Sequence, residues 1–168
     1  MNQQDLVDRL VGIDADDALY TVRHQREKVV AATQGSLEAL FDPALPGLSL
    51  VERLAVAVHA CRLTPSPELA DYYQQRLVAE KADPAVLDAL AQGAPQAAGV
   101  PRLDAMLEFT RKLIQNPVEG DRAALEALPA AGLSTSEVVT LSQLIAFLSY
   151  QVRLVAGLKA MKSLEHAA

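Results

Sequence analysis

The chain has 168 residues, which is the usual size of one domain and enough to bury a hydrophobic core. Apolar residues make up 51% of it, aromatic residues only 4%, and Trp is absent, so Leu, Val and Ala must build the core, which favours packed helices. The net charge of −6 argues against nucleic acid and anionic membranes as partners, and a single cysteine excludes an internal disulfide and a cysteine-based zinc site.

Helical periodicity runs through most of the chain and is divided by breakers rich in Pro and Gly, so we predict an all-α fold. We expect one domain over residues 1–168, with N-terminal helices in 1–47 and a core in 48–168. The predicted helices are a short first one, a longer one from about Asp17, and segments near 49–63, 67–81, 84–91, 102–115, 121–129 and 135–162.

Several predicted helix starts carry capping signals. The segments "SLVE" (49–52) and "STSE" (134–137) are capping boxes, in which Ser and Glu satisfy each other's backbone donors. Ser66-Pro67 and Asp83-Pro84 each place a capping side chain before a proline at the first helical position. The shared "LSxxE" start suggests two similar halves.

No targeting or membrane segment is expected. The N-terminal "MNQQDLVDRL" lacks the basic start and apolar run of a signal peptide. The apolar run from Val138 to Val152 contains Gln143 and Gln151 and is too short and too polar to span a bilayer. We therefore expect a cytoplasmic protein without a membrane partner.

The last predicted helix carries two apolar stripes at 3/4 spacing, which is typical of a central core helix or a subunit interface. A third line on this helix contains Gln143, Tyr150 and Arg153 among small residues. Those three side chains either lie in solvent or form a polar pocket wall or an interface contact.

Four residues near the chain's centre are candidates for chemistry. Cys61 lies on an apolar helical stripe, where burial would suppress its thiolate. Glu52 and His59 are seven residues apart and share a helix face, so both could line one cleft, although the capping box already explains Glu52. Asp71 lies in the first turns of the next helix, where the helix dipole favours a negative charge.

The spacing around these residues resembles a known family. The alkylhydroperoxidase (AhpD-like) and carboxymuconolactone decarboxylase superfamily carries the pattern Glu-x11-Cys-x2-Cys-x3-His, which, started at Glu52, falls on Thr64, Pro67 and Asp71. Segments 22–43, 48–63 and 107–158 look like a peroxidase-related branch of that superfamily, and residues 132–158 carry the most specific likeness. The resemblance covers most of the chain, and residues 80–101 match least.

The resemblance implies an AhpD-like helical fold that assembles into homo-oligomers, either dimers, trimers or hexamers. Peroxidase members of the family use two thiols, with the glutamate and histidine relaying protons. Thr64 and Pro67 cannot replace those sulfurs, and only Glu52 carries over directly. No metal or cofactor is expected.

Three hypotheses for function follow. The first is an oligomeric accessory or small-molecule-binding protein that has lost the redox site. The second is a cofactor-free acid/base enzyme like the decarboxylase branch, using Glu52, His59 and Asp71, with Tyr150 and Arg153 toward the substrate. The third is a one-cysteine hydroperoxidase that uses Cys61.

Overall fold

The computed structural model describes residues 5–94 and 99–165, and within these ranges it confirms the all-α prediction, with nine α-helices and no strand. In chain order the helices are α1 (Leu6–Val11), α2 (Ala18–His24), α3 (Glu27–Leu40), α4 (Leu50–Leu63), α5 (Pro67–Ala79), α6 (Pro84–Ala91), α7 (Pro101–Gln115), α8 (Arg122–Ala130) and α9 (Thr135–Glu165). A short 3₁₀ helix, Pro117–Glu119, lies between α7 and α8.

Helix α4 is the centre of the fold, since every residue from Arg53 to Cys61 is buried. Helices α5, α7 and α9 pack around it. Three alanines on α4, at positions 55, 57 and 60, allow these neighbours to approach on several sides, because a helix with bulky residues all round would hold them apart.

The last segment forms one helix of 31 residues, α9, and its predicted apolar stripes are buried or partly buried. Its polar contacts fix the neighbouring α5: the Tyr73 hydroxyl donates to Gln151 Oε1 at 2.6 Å, and Lys159 pairs with Glu68. By length and composition alone α9 would be able to cross a membrane, a test that the core helix of a soluble protein also passes. The expected absence of a membrane segment stays a prediction.

The prediction of one longer helix from about Asp17 is wrong, because the chain turns at residues 25–26 between α2 and α3. Helix α2 is bound to α1 by Arg23, whose guanidinium pairs with Asp8 at 2.5 Å and with Asp5 at 2.9 Å. Helix α3 packs on α9 and on α2. No Pro or Gly lies at the turn, so the periodicity gave no warning of it.

The predicted caps are confirmed in three of four places. Both capping boxes form, and the Asp83 carboxylate accepts from the Ala85 N–H at 2.8 Å. The Ser66 cap is wrong: its side chain makes no capping bond, and its own N–H donates to the Cys61 carbonyl at 3.1 Å. Ser66 is buried in the short connection between α4 and α5.

Candidate functional site

The starts of α4 and α9 share the sequence Gly-Leu-Ser-x-x-Glu, at residues 47–52 and 132–137. Both glycines have a φ of +89°, in the region that only glycine adopts without strain. In each segment the Glu side chain accepts from the Ser backbone N–H at 2.7 Å. The two helix starts therefore make the same capping interactions.

One arginine from α7, Arg102, joins the two helix starts. Its Nε donates to Glu52 Oε1 at 2.8 Å, its Nη2 donates to Glu137 Oε1 at 2.5 Å, and its Nη1 donates to the Gly132 carbonyl at 2.8 Å. The two carboxylates raise the pKa of Arg102. We call Arg102, Glu52, Glu137 and Gly132 the Arg102 cluster.

Glu52, the one residue that carries over from the family pattern, belongs to the Arg102 cluster. Glu52 Oε2 accepts from the Ser49 N–H, and Oε1 accepts from Arg102. Both oxygens thus already serve as acceptors, Oε2 in the cap of α4 and Oε1 in the contact between α4 and α7. In this chain Glu52 acts as a structural acceptor.

His59 lies on the same side of α4, two turns further along, and is also turned toward α7. Its ring is buried, and Nε2 has no hydrogen-bond partner among the described residues. Burial lowers the pKa of His59 to about 4, while a backbone hydrogen bond with Leu107 and the charge of Glu108 act in the opposite direction. The imidazole is therefore neutral at neutral pH.

Cys61 is fully buried, with an exposed fraction of 0%. Burial raises the pKa of its thiol to about 12, so the thiolate that would attack a peroxide is essentially absent near neutral pH. The positions where the family has sulfur lie just beyond: Thr64 is the residue after α4, and Pro67 is the exposed first residue of α5.

The remaining predicted residues lie on the outside of the chain. Asp71 is exposed on α5, and Gln143 and Arg153 are exposed on α9, where Arg153 donates to the Ser149 carbonyl of its own helix. Tyr150 is 43% exposed and exchanges a hydrogen bond of 3.0 Å with the Thr33 hydroxyl of α3. It lines surface grooves of about 400 Å³ between α3 and α9.

The residues expected to form an acid/base site therefore do not all lie together within one chain. Glu52 and His59 share the α7-facing side of α4, as the seven-residue spacing predicts. Asp71 and Arg153 are exposed on two other helices. Among the described residues, no group of three or more His, Cys, Asp or Glu is arranged to hold a metal ion.

Sequence reasoning missed three arginines that the fold places at important positions. Arg53 is fully buried and donates to the carbonyls of Leu40 at 2.6 Å and Asp42 at 3.0 Å. A charge inside the apolar run "VERLAVAV" was its signal. Arg102 lies in the first turn of α7, where the helix dipole disfavours a cation, and that misfit pointed to a specific partner.

The third arginine is Arg76, which lies on α5 beside two aromatic rings. Its own helix supplies only Tyr72, four residues earlier, and the rest of its surroundings come from α3 and from the loop after α3.

The chain matches no protein-family model and no curated protein. Its assignment to the alkylhydroperoxidase and carboxymuconolactone decarboxylase superfamily stays a prediction from the residues quoted above.

Proposed function

We propose that this protein is a peroxidase-related member of the alkylhydroperoxidase and carboxymuconolactone decarboxylase superfamily that has lost two-cysteine chemistry and acts as an oligomeric accessory or small-molecule-binding protein. The main support for the proposal is the burial of the chain's one thiol and the absence of cysteine at the two positions where the family has its redox pair. That thiol is fully buried with a pKa raised to about 12, and Thr64 and Pro67 occupy the positions of the redox pair.

The hydrogen bonds that Glu52 accepts also favour this proposal over the hypothesis of an acid/base enzyme. A proton-relaying carboxylate needs an oxygen directed at substrate, whereas both oxygens of Glu52 accept hydrogen bonds from Ser49 and Arg102. The exposed positions of Asp71 and Arg153 add no substrate-binding wall beside it.

The test is hydroperoxide consumption with a dithiol reductant, comparing wild type with Cys61→Ala. We expect both proteins to remain at the background rate, because a buried neutral thiol does not attack peroxide. In parallel, a chromogenic disulfide reagent should label Cys61 in urea and leave the native protein unlabelled. Peroxide consumption that disappears in Cys61→Ala, together with native labelling, would contradict the proposal and favour the one-cysteine hydroperoxidase.

A further inference from the structure

A surface cavity of about 600 Å³ lies between the C-terminal half of α3, the loop that follows it, and α5. Leu37, Phe41 and Tyr72 line it, the first two with little of their side chains exposed, and three charged residues, Glu38, Asp42 and Arg76, line it as well. None of the residues discussed above as candidates for chemistry lines this cavity.

Arg76 is held in the cavity by aromatic rings. Its guanidinium carbon lies 5.2 Å from the centre of the Phe41 ring and 5.8 Å from that of the Tyr72 ring. Its hydrogen bonds, to the Phe41 carbonyl and the Tyr72 hydroxyl, are both 3.5 Å long, at the limit for such a bond. Stacking thus fixes the planar guanidinium while using little of its hydrogen-bonding capacity.

Arg76 has no carboxylate partner among the described residues, unlike the arginines of the chain that form ion pairs. Arg23, Arg102 and Arg111 each pair with two carboxylates. Among the described residues, none forms an ion pair with Arg76. A half-buried guanidinium with free N–H groups is suited to a bidentate hydrogen bond with an incoming carboxylate.

Neither acidic residue of the cavity forms an ion pair among the described residues, although the charge of Asp42 acts on the nearby Arg53, whose pKa it raises against the larger effect of burial. One oxygen of Glu38 accepts from the Gln34 amide at 2.9 Å, and one oxygen of Asp42 accepts from the Ala44 N–H at 2.8 Å. Each carboxylate keeps an oxygen that no described group bonds. Charges of opposite sign therefore face one cavity without bridging it.

We propose that this cavity binds a small zwitterion with an apolar side chain, of the α-amino acid class. The ligand's carboxylate pairs with Arg76, its ammonium group lies between Glu38 and Asp42, and its side chain packs on Leu37, Phe41 and Tyr72. A plain anion would be repelled by the two acidic residues, and a plain cation would leave Arg76 unpaired. The inference rests on the binding role proposed above and names its ligand class.

The experiment is calorimetric titration of the protein with L-leucine, N-acetyl-L-leucine and L-leucinamide, which share the leucine side chain and carry both charges, only the negative charge and only the positive charge, respectively. L-leucyl-L-leucine serves as a fourth ligand and distinguishes a free amino acid from a short peptide. We expect saturable binding of leucine or the dipeptide, at least about tenfold tighter than binding of the two singly charged analogues, because each lost ion pair costs about 1.4 kcal/mol or more.

Two variants and a control locate the binding. Arg76→Gln should weaken zwitterion binding at least about tenfold, and Glu38→Gln, at an exposed position, should reduce the preference for leucine over N-acetyl-leucine. Arg122→Gln, an arginine change in a 91% exposed side chain on α8, should leave binding unchanged.

No binding of any ligand at about 10 mM, or equal binding of leucine and N-acetyl-leucine, would overturn the assignment of the cavity. The peroxide and labelling assays report on Cys61 and not on this cavity, so the two proposals fail independently.

Discussion

Burial controls the protonation state of two side chains on α4, Cys61 and His59, which lie two residues apart. It keeps the Cys61 thiol protonated and the His59 imidazole neutral, because a charged form of either would lose its hydration in the core. Both residues have reactive side chains by type, and neither has the exposure that this reactivity requires. Their exposed fractions, 0% and 7%, result from the packing of other helices around α4.

His59 makes stability depend on pH. Its pKa is lowered from 6.5 to about 4 in the folded protein, so the unfolded chain binds the proton more tightly. The contribution is fully present above pH 6.5 and is lost as the pH falls from 6.5 to about 4. At about 1.4 kcal/mol per pKa unit, about 3 kcal/mol of unfolding free energy is lost in that window.

Urea denaturation of wild type and His59→Gln at several pH values measures this effect. The difference in unfolding free energy between the two proteins should shrink on the acid side, because the variant has no imidazole to protonate. The two curves running parallel from pH 7 to pH 4 would show that the buried imidazole is not the source of acid sensitivity.

At the scale of elements, the Arg102 cluster links three helices through their first turns. Glu52 begins α4, Arg102 begins α7 and Glu137 begins α9, so one guanidinium aligns three starts on the same side of the fold. Gly47 contributes by its missing side chain, since a Cβ there would lie 2.9 Å from Glu137 Cγ. The loop before α4 is therefore fitted to the start of α9.

A double-mutant cycle tests this linkage. Arg102→Gln, Glu137→Gln and the double variant should give a coupling of about 1 to 2 kcal/mol in unfolding free energy, because these are charge-assisted hydrogen bonds in partly buried side chains. The Arg122–Glu126 pair, in which the side chains are 91% and 63% exposed, is the matched control and should show almost no coupling. Equal coupling in the two cycles would mean that the Arg102 cluster adds no more than a surface pair.

On the scale of the whole molecule, the surface formed by α3 and the outer side of α9 is exposed to solvent. Only Thr33 and Leu37 of α3 are buried, which leaves Val29 exposed beside Tyr150 of α9. Amphipathic helices normally cover their apolar side, so this exposure supports the proposed assembly of the chain with further copies of itself.

Light scattering coupled to size exclusion tests that assembly. We expect wild type to elute as a homo-oligomer and Val29→Glu to shift toward monomer, because a charge placed in a packed interface is left without water or a partner. Val118→Glu, at a valine that is 86% exposed outside this surface, is the matched control and should keep the wild-type mass. A monomeric wild type at micromolar concentration would remove the oligomeric part of the proposed function.

The sequence by itself determined the helices, most of their ends and the burial of Cys61. Apolar spacing at 3.6 residues per turn, Pro and Gly breakers and capping boxes are local signals, and short-range sterics and hydrogen bonds suffice to act on them. The turn at residues 25–26 escaped prediction because no Pro or Gly marks it, and the contacts that hold α2 on α1 are long-range: Arg23 pairs with Asp8 and Asp5, which lie 15 and 18 residues away.

Only the tertiary structure decided which charges are satisfied and which are free. Arg102 and Arg76 have the same side chain, yet one meets two carboxylates while the other lies beside aromatic rings at a cavity. Arg102 lies 50 residues from Glu52, and Arg76 lies 35 residues from Phe41. The packing of whole helices brings such partners together, because the local backbone pattern fixes the direction of a side chain and not what it meets there.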